Sequence, residues 1–353
     1  MHIPDGYLSP STCAVLYAGA VAGWYSAVRR LKRALMARMI PLISVFAACS
    51  FVIMMFNLPL PGGTTGHALG VTIAAIVLGP SGAILALSIA IAIQALFFGD
   101  GGISTLGANC FNMAIVGSLV AYGVYRLIAA RAAIDARRRV VAAAIAGYVA
   151  VNAAAFLAAV EFGIQPMLFH DASGMPLYAP YRLSVAVPAM MIGHLTFAGA
   201  AEAVIAAGVV AYLQAADPVL LRGTSGLKGA SVGSVLDSSR PTNSLRRLWL
   251  AVAGLMLLTP LGILAAGTAW GEWSPSQLAA ANAGSGPVSM APSGLQRLAT
   301  LWTAPFPGYA PEFVRSRGFG YLLSAMFGVG VLICLSLLTQ LMIACLRRRG
   351  SPA

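Results

Sequence analysis

The dipeptide Met1-His2 carries the richest chemistry in the chain. A free α-amine, the next amide nitrogen and the imidazole Nδ1 of a histidine at position 2 can close on one metal ion through fused, low-strain rings. Nitrogen donors in one plane make the tetragonal arrangement that suits Ni(II) or Cu(II). The chelate displaces the amide proton, which only strongly bound ions do near neutral pH. It also requires Met1 to be deformylated and retained, and the bulky His2 disfavours its removal. The competing reading is an exposed terminal histidine, since chain ends are usually poorly ordered. Against that stands Ile3-Pro4-Asp5-Gly6, a rigid turn sequence. No basic n-region of a secretory signal precedes the first apolar run, so the opening residues are expected to work in the mature chain. His67 offers a fourth nitrogen, reached through the Gly-rich stretch Pro61-Gly62-Gly63-Thr64-Thr65-Gly66. The alternative for His67 is a helix-start histidine bonded to a carbonyl, a common structural role of imidazole.

A second tier of residues surrounds these. Gly99-Asp100-Gly101-Gly102-Ile103-Ser104-Thr105-Leu106-Gly107-Ala108-Asn109 is a permissive loop rich in oxygen donors. Asp100, Ser104, Thr105 and Asn109 are candidates to support the His2 and His67 imidazoles from behind; an ordinary polar loop is the alternative. A phosphate cradle would need a following Lys and a strand–helix context, and both are missing. His194 and Glu202 are spaced about two helical turns apart, and so share a face inside one apolar run. Ionisable groups at membrane depth are costly; these two read either as a relay or transit ligands for metal, or as a buried structural pair. His170, beside Asp171, is a candidate low-affinity landing site or a surface residue. Gly223-Thr224-Ser225-Gly226 looks like a serine-hydrolase fragment but falls in a polar stretch away from every histidine. Gly226-Leu227-Lys228-Gly229 lacks the spacing and the Ser/Thr of a Walker A sequence, so any ATP hydrolysis must come from another chain.

These residues need a membrane scaffold to position them. The 353 residues are 59% hydrophobic and 9% charged, with a mean hydropathy of +0.84; a water-soluble domain carries roughly a quarter charged residues. The net charge of +12 sits in short clusters between apolar runs, with few aromatics interleaved, which argues for membrane topology and against nucleic acid. Cys13, Cys49, Cys110, Cys334 and Cys345 form no CxxC pair and read as small hydrophobes. Nine apolar spans are expected near 9–28, 38–60, 66–80, 82–98, 107–129, 140–162, 183–214, 247–268 and 319–346. The third and fourth are separated only by Gly79-Pro80-Ser81-Gly82 and read as a broken or tightly turned pair. All Lys and Arg except Arg182, Arg297, Arg315 and Arg317 then fall on one side, which places the C-terminus in the cytoplasm and the N-terminus outside. The expected architecture is an all-α polytopic membrane protein. A seven-span core occupies 1–215, a cytoplasmic linker 216–245, and a two-span module 246–353 with its outer loop at 269–318.

Met1 to Pro10, the Pro61–Gly70 segment and the Gly99–Asn109 loop together resemble the CbiM/NikM family, the substrate-capture subunits of energy-coupling-factor nickel and cobalt importers. The stretch from Gly193-His194 to Glu202-Ala203 is similar to that family's last core helix. Residues 245–346 resemble the small two-helix partner subunit of NikN/CbiN, PDGLE type, fused to the core: Leu258-Thr259-Pro260-Leu261-Gly262 matches its first helix. Gly271-Glu272-Trp273 and Pro307-Gly308-Tyr309 are partial echoes of its outer loop. The resemblance implies a metal held by the Met1 amine, the His2 amide and imidazole nitrogens, and His67. It implies Ni²⁺ or Co²⁺ as transported substrate with no permanent cofactor, and no enzymatic activity of the chain itself. The partners implied are a transmembrane coupling subunit, cytoplasmic ATP-binding subunits and membrane lipid, in a bacterial or archaeal plasma membrane. Amide ligation favours nickel, and a cobalt importer feeding cobalamin synthesis is the alternative. An intramembrane metalloenzyme would need an HExxH pairing or a membrane-depth nucleophile. A proton-coupled transporter would need several acidic residues inside spans, where the sequence offers Glu202.

Overall fold

The computed structural model describes residues 1–31, 33–60, 64–224, 241–265, 267–282 and 291–349. Most of the expected linker, Gly62 and Gly63 with Pro61, and the Gly226-Leu227-Lys228-Gly229 sequence lie outside the described residues. The chain is helical almost throughout, as its composition demands: inside a bilayer only helices and closed barrels satisfy every backbone group. Helix α1 is Pro10–Arg30. Ser9 caps it by accepting from the Thr12 amide at 3.1 Å, proline fills the first turn, and Arg29 and Arg30 face the negative end of the dipole. Helix α2 is Arg33–Met54. A short hairpin follows, Leu58–Leu60 antiparallel to Thr64–Gly66, with Leu58 opposite Gly66. It is the small exception to the all-α expectation, and it delivers His67.

Helix α3, Val71–Ile93, runs on through a π-helical turn, Gln94–Phe98. Unbroken, its 23 residues would stretch about 35 Å. Yet His67 before it and Asp100 after it both reach His2. The chain therefore doubles back, and it does so at Gly79, whose φ of 72° and ψ of 169° belong to a region open essentially to glycine alone. Residues 71–78 descend only about 12 Å, a half-helix, and residues 80–98 return across the full thickness. The third expected span is thus a re-entrant half-helix, tolerated because protein surrounds it on every side.

Helix α4 (Leu106–Ala129) and helix α6 (Leu183–Ala216) are long apolar runs, each containing a π-helical turn, at Cys110–Val116 and His194–Ala198. Helix α5, Arg137–Leu168, lies between them with a stripe of fully buried small residues including Ala143, Ala146, Ala150, Ala154 and Ala158, which lets its neighbours approach closely. Glu161 is also buried within α5 and accepts from Asn112 Nδ2 at 2.8 Å. Glu202 therefore has acidic company inside the spans, contrary to the sequence reading.

Among the described residues, six runs are long and apolar enough by length and composition to cross a membrane: Val71–Phe98 (counted through its break at Gly79), Leu106–Ala129, Arg137–Leu168, Leu183–Ala216, Leu245–Leu264 and Arg317–Leu346. Met39–Met54 is a shorter apolar helix. The C-terminal part comprises α7 (Pro241–Leu258, extended by a 3-10 turn at Thr259–Leu264), the short α8 (Pro275–Asn282) and α9 (Ser293–Leu298), and α10 (Arg317–Arg349). It packs on α2. Tyr321 donates to the Met55 carbonyl at 2.8 Å, and Gly262 passes so close to that carbonyl that a Cβ would stand 2.2 Å from its oxygen.

Candidate metal centre

The amino terminus is threaded into one end of the core. Met1, His2, Ile3, Tyr7 and Leu8 are all buried, and His2 and Ile3 are completely so. What holds them is the Gly99–Asn109 loop. Asn109 accepts from the Ile3 amide at 2.8 Å and donates to the Ile3 carbonyl at 3.1 Å. That same carbonyl accepts from the Gly102 amide at 2.9 Å and from the Thr105 hydroxyl. One turn on, the Asp5 carboxylate accepts from the amides of Ile103 and Ser104, at 3.0 and 2.7 Å, and from the Ser104 hydroxyl. Gly102 is required here: a Cβ would stand 2.3 Å from the Asp5 amide nitrogen. Further back, the Ser9 amide donates to Gln165 at 3.0 Å. Ser104, Thr105 and Asn109 thus reach the main chain at Ile3 and the side chain of Asp5, rather than the imidazoles they were expected to support.

The rings of His2 and His67 lie face to face, centroids 5.1 Å apart and planes inclined by 30°. The Nδ1 of His67 is 3.1 Å from the Ala68 carbonyl. Since only a protonated nitrogen can donate there, Nε2 is left with its lone pair. Burial, then the neighbouring His2 and terminal amine, push the His67 pKa down to about 3, so the ring is neutral and free to ligate at physiological pH. Position is fixed from below by Glu202. Its carboxylate accepts from the amides of Leu69 at 2.8 Å, Gly70 at 2.9 Å and Thr72 at 3.3 Å, at the positive end of the half-helix dipole. His194 instead donates from Nδ1 to the Met190 carbonyl at 2.8 Å. The two residues share a helix, but their contacts run to different partners.

His2 is the unusual member. Neither of its buried ring nitrogens has a hydrogen-bond partner, although Nδ1 stands 3.0 Å from Asp100 Oδ1, off the bonding direction. A fully buried imidazole with both nitrogens unsatisfied is expensive and is what a ligand waiting for an ion looks like. Asp100 is itself gripped by the Tyr309 hydroxyl at 2.6 Å and by Gln94 Nε2 at 3.2 Å. Burial works to raise its pKa, but His2, His67 and the Tyr309 hydroxyl outweigh it and hold the carboxyl below the ordinary range. The Met1 ammonium pairs with Glu272 Oε1 at 3.0 Å. Among the described residues no three His, Cys, Asp or Glu side chains gather as a metal site. An ion bound here therefore has to recruit main-chain nitrogen, which the amine and the His2 amide provide.

Glu272, Tyr309 and Gln94 were not singled out as functional by sequence reasoning, and the reason is distance: Met1 and Glu272 are 271 residues apart. The available signal was scarcity. With 10 acidic residues in 353, just two, Glu272 and Glu312, fall in the 269–318 loop, which makes each conspicuous. His170 lies exposed in a self-contained turn around Asp171, apart from the site.

Residues 2–220 match the profile of the cobalt uptake substrate-specific transmembrane region, CbiM, and residues 246–345 match the PDGLE domain. The fused nickel transport protein NikMN of Rhodobacter capsulatus is 53% identical over 342 residues, 94% of this chain and 95% of that protein. The cobalt transport protein CbiM of Ruminiclostridium cellulolyticum is 34% identical over 131 residues, 36% of this chain and 52% of that protein. The crystal structure of a transition metal transporter, 52% identical, superposes with a TM-score of 0.58 over 62% of this chain and 94% of that one. The chain belongs to the CbiM family of nickel and cobalt transport proteins, with a PDGLE domain joined to it in one polypeptide.

Proposed function

We propose that this chain is the substrate-capture subunit of an ATP-driven importer, taking one Ni²⁺ from outside the cell with the Met1 amine, the His2 amide and Nδ1, and His67 Nε2. The observation that carries the reading is the buried His2 ring, unsatisfied at both nitrogens and stacked on His67, on a terminus tied down by Asn109, Thr105 and Asp5. Four nitrogens in a plane suit a tetragonal d⁸ ion. Charge supports the same assignment. One divalent ion replaces two protons, those of the amine and the amide, so the charge buried beside Asp100 and Glu272 stays the same. Asp100, 3.0 Å from His2 Nδ1, gives that nitrogen up when the ion takes it and remains as a neighbouring negative charge, while Ser104, Thr105 and Asn109 hold the chain that bears the ring.

The chain lacks a Walker A sequence, so ATP-binding subunits in the cytoplasm and a transmembrane coupling subunit drive the cycle. The basic clusters orient the bundle in the plasma membrane with the N-terminus outside. Cobalt is the second reading, favoured by the family's cobalt members; imidazole accepts both ions, and amide ligation ranks nickel first.

The test is metal binding by the purified full-length chain, read by competition with a chromophoric chelator for Ni²⁺ and Co²⁺ in parallel. One alanine added before Met1, acetylation of the amine, His2→Ala and His67→Ala should each lower affinity at least about a hundredfold, roughly 2.7 kcal/mol. Unchanged affinity after acetylation rules the site out.

A further inference from the structure

A cavity of about 220 Å³ opens beside the terminus, lined in part by Met1, Thr65, Met190, His194, Trp270 and Trp273. Its walls come from the hairpin, from α6 and from the outer loop of the C-terminal module, and Met1 forms part of its lining next to the capture site. At roughly 30 Å³ per water, it has room for an ion that still carries several waters.

His194 is the chemically distinctive wall residue. It is only 5% exposed. Its Nδ1 is committed to the Met190 carbonyl, so Nε2 carries the lone pair, and among the described residues no hydrogen bond engages that nitrogen. The local backbone is also shaped for it: the π-helical turn of α6 begins at His194, a distortion common at functional positions.

Resting on the capture reading above, we propose that this cavity is the approach chamber for the ion and that His194 Nε2 is a relay ligand. It takes a partly hydrated divalent ion of the late first-row series and passes it to the amine-led nitrogen set. A single imidazole, helped by water and the neighbouring threonine oxygens, binds weakly, and weak binding is what a site that must release its ion requires. The trade is one of ligands: a water leaves the ion when Nε2 enters, and Nε2 leaves when the terminal nitrogens close.

The experiment follows Ni²⁺ loading and release by stopped flow on the full-length chain. His194→Asn keeps an N–H near the place of Nδ1 for the Met190 carbonyl and deletes Nε2. Loading and release should both slow about tenfold, with equilibrium affinity within about twofold, because a relay alters neither end state. Ala189 also lines the chamber, and Ala189→Leu, which narrows it and leaves His194 intact, should slow both rates as well. Unchanged rates in both variants, or a loss of affinity at an unchanged loading rate, would overturn the relay. Acetylating the amine separates the two readings: it abolishes equilibrium binding if capture is by the terminus. Full affinity after acetylation sinks the capture site and the relay with it.

Discussion

If the proposed chelate is right, affinity at this centre depends first on single residues outside the set of nitrogen ligands. The Ile3 peptide is bonded on both faces by Asn109, Gly102 and Thr105, and His2 is its immediate neighbour. Asn109→Ala leaves a buried amide and part of a carbonyl unsatisfied, at about 1–3 kcal/mol. We expect Ni²⁺ affinity to fall about tenfold or more while the helical circular dichroism spectrum is unchanged. Gly102→Ala should do the same by sterics, since its Cβ would meet the Asp5 amide at 2.3 Å and Asp5 Oδ1 at 2.5 Å; isothermal titration with Ni²⁺ measures both. Met1, His2 and His67 were singled out from the sequence because the proposed chelate is local and the His67 approach announces itself in glycines; the structure brings the His2 and His67 rings together beside the buried terminus. The Gly99–Asn109 loop was legible as a partner but not in its role. Oxygen donors suggested imidazole support, whereas the loop spends them on the backbone, a choice that side-chain chemistry alone does not reveal.

Helices in this fold are placed by their breaks as much as by their lengths. The doubling back at Gly79 brings both ends of α3 to one site, and the four residues Gly79-Pro80-Ser81-Gly82 betrayed that turn in the sequence. Its depth was not legible: an apolar half-helix buried in protein has the same composition as a short span in lipid. Gly79→Ala places a Cβ at φ 72°, ψ 169°, with no atom within 4 Å to clash, so its cost is backbone strain alone, about 1–3 kcal/mol. A lowered thermal midpoint with nearly unchanged metal affinity is expected. Glu202 should behave differently. Its carboxylate receives three amides at the mouth of the half-helix that carries His67. Glu202→Ala removes charge-assisted bonds of about 1.5–3 kcal/mol each and should lower the thermal midpoint and the Ni²⁺ affinity together. Normal affinity in a folded Glu202→Ala protein would disconnect it from His67. The sequence reading paired Glu202 with His194 across one helix face, but the π-helical turn between them rotates that face, and periodicity counted at 3.6 residues per turn does not see such a turn.

At the scale of the whole molecule, the PDGLE module is a wall of the candidate metal centre. Its outer loop, expected at 269–318, docks on the core by the Phe306 amide to the Phe97 carbonyl at 2.9 Å and the Leu295 amide to the Leu177 carbonyl at 3.1 Å. It contributes Glu272 to the terminal amine, and its Trp273 carbonyl accepts from the Tyr7 hydroxyl at 2.8 Å. Tyr309, held between Gln94 and Asp100 and stacked on Phe98 with centroids 4.6 Å apart, ties the module to the carboxylate nearest His2. If that tie transmits to the ion, the effects of Tyr309 and Asp100 on affinity are not independent. Tyr309→Phe removes only the hydroxyl and should cost about 1–2 kcal/mol in Ni²⁺ binding. Asp100→Asn should cost as much or more, because the His2 ring loses its charged neighbour. Once Asp100 is replaced the Tyr309 hydroxyl has no carboxylate left to orient, so removing it as well should cost little more, and the losses in the double variant should fall short of additive by about 1 kcal/mol, beyond the few tenths typical of unrelated sites. Strict additivity in that cycle would reduce the module to a cover over a centre that the core organises by itself.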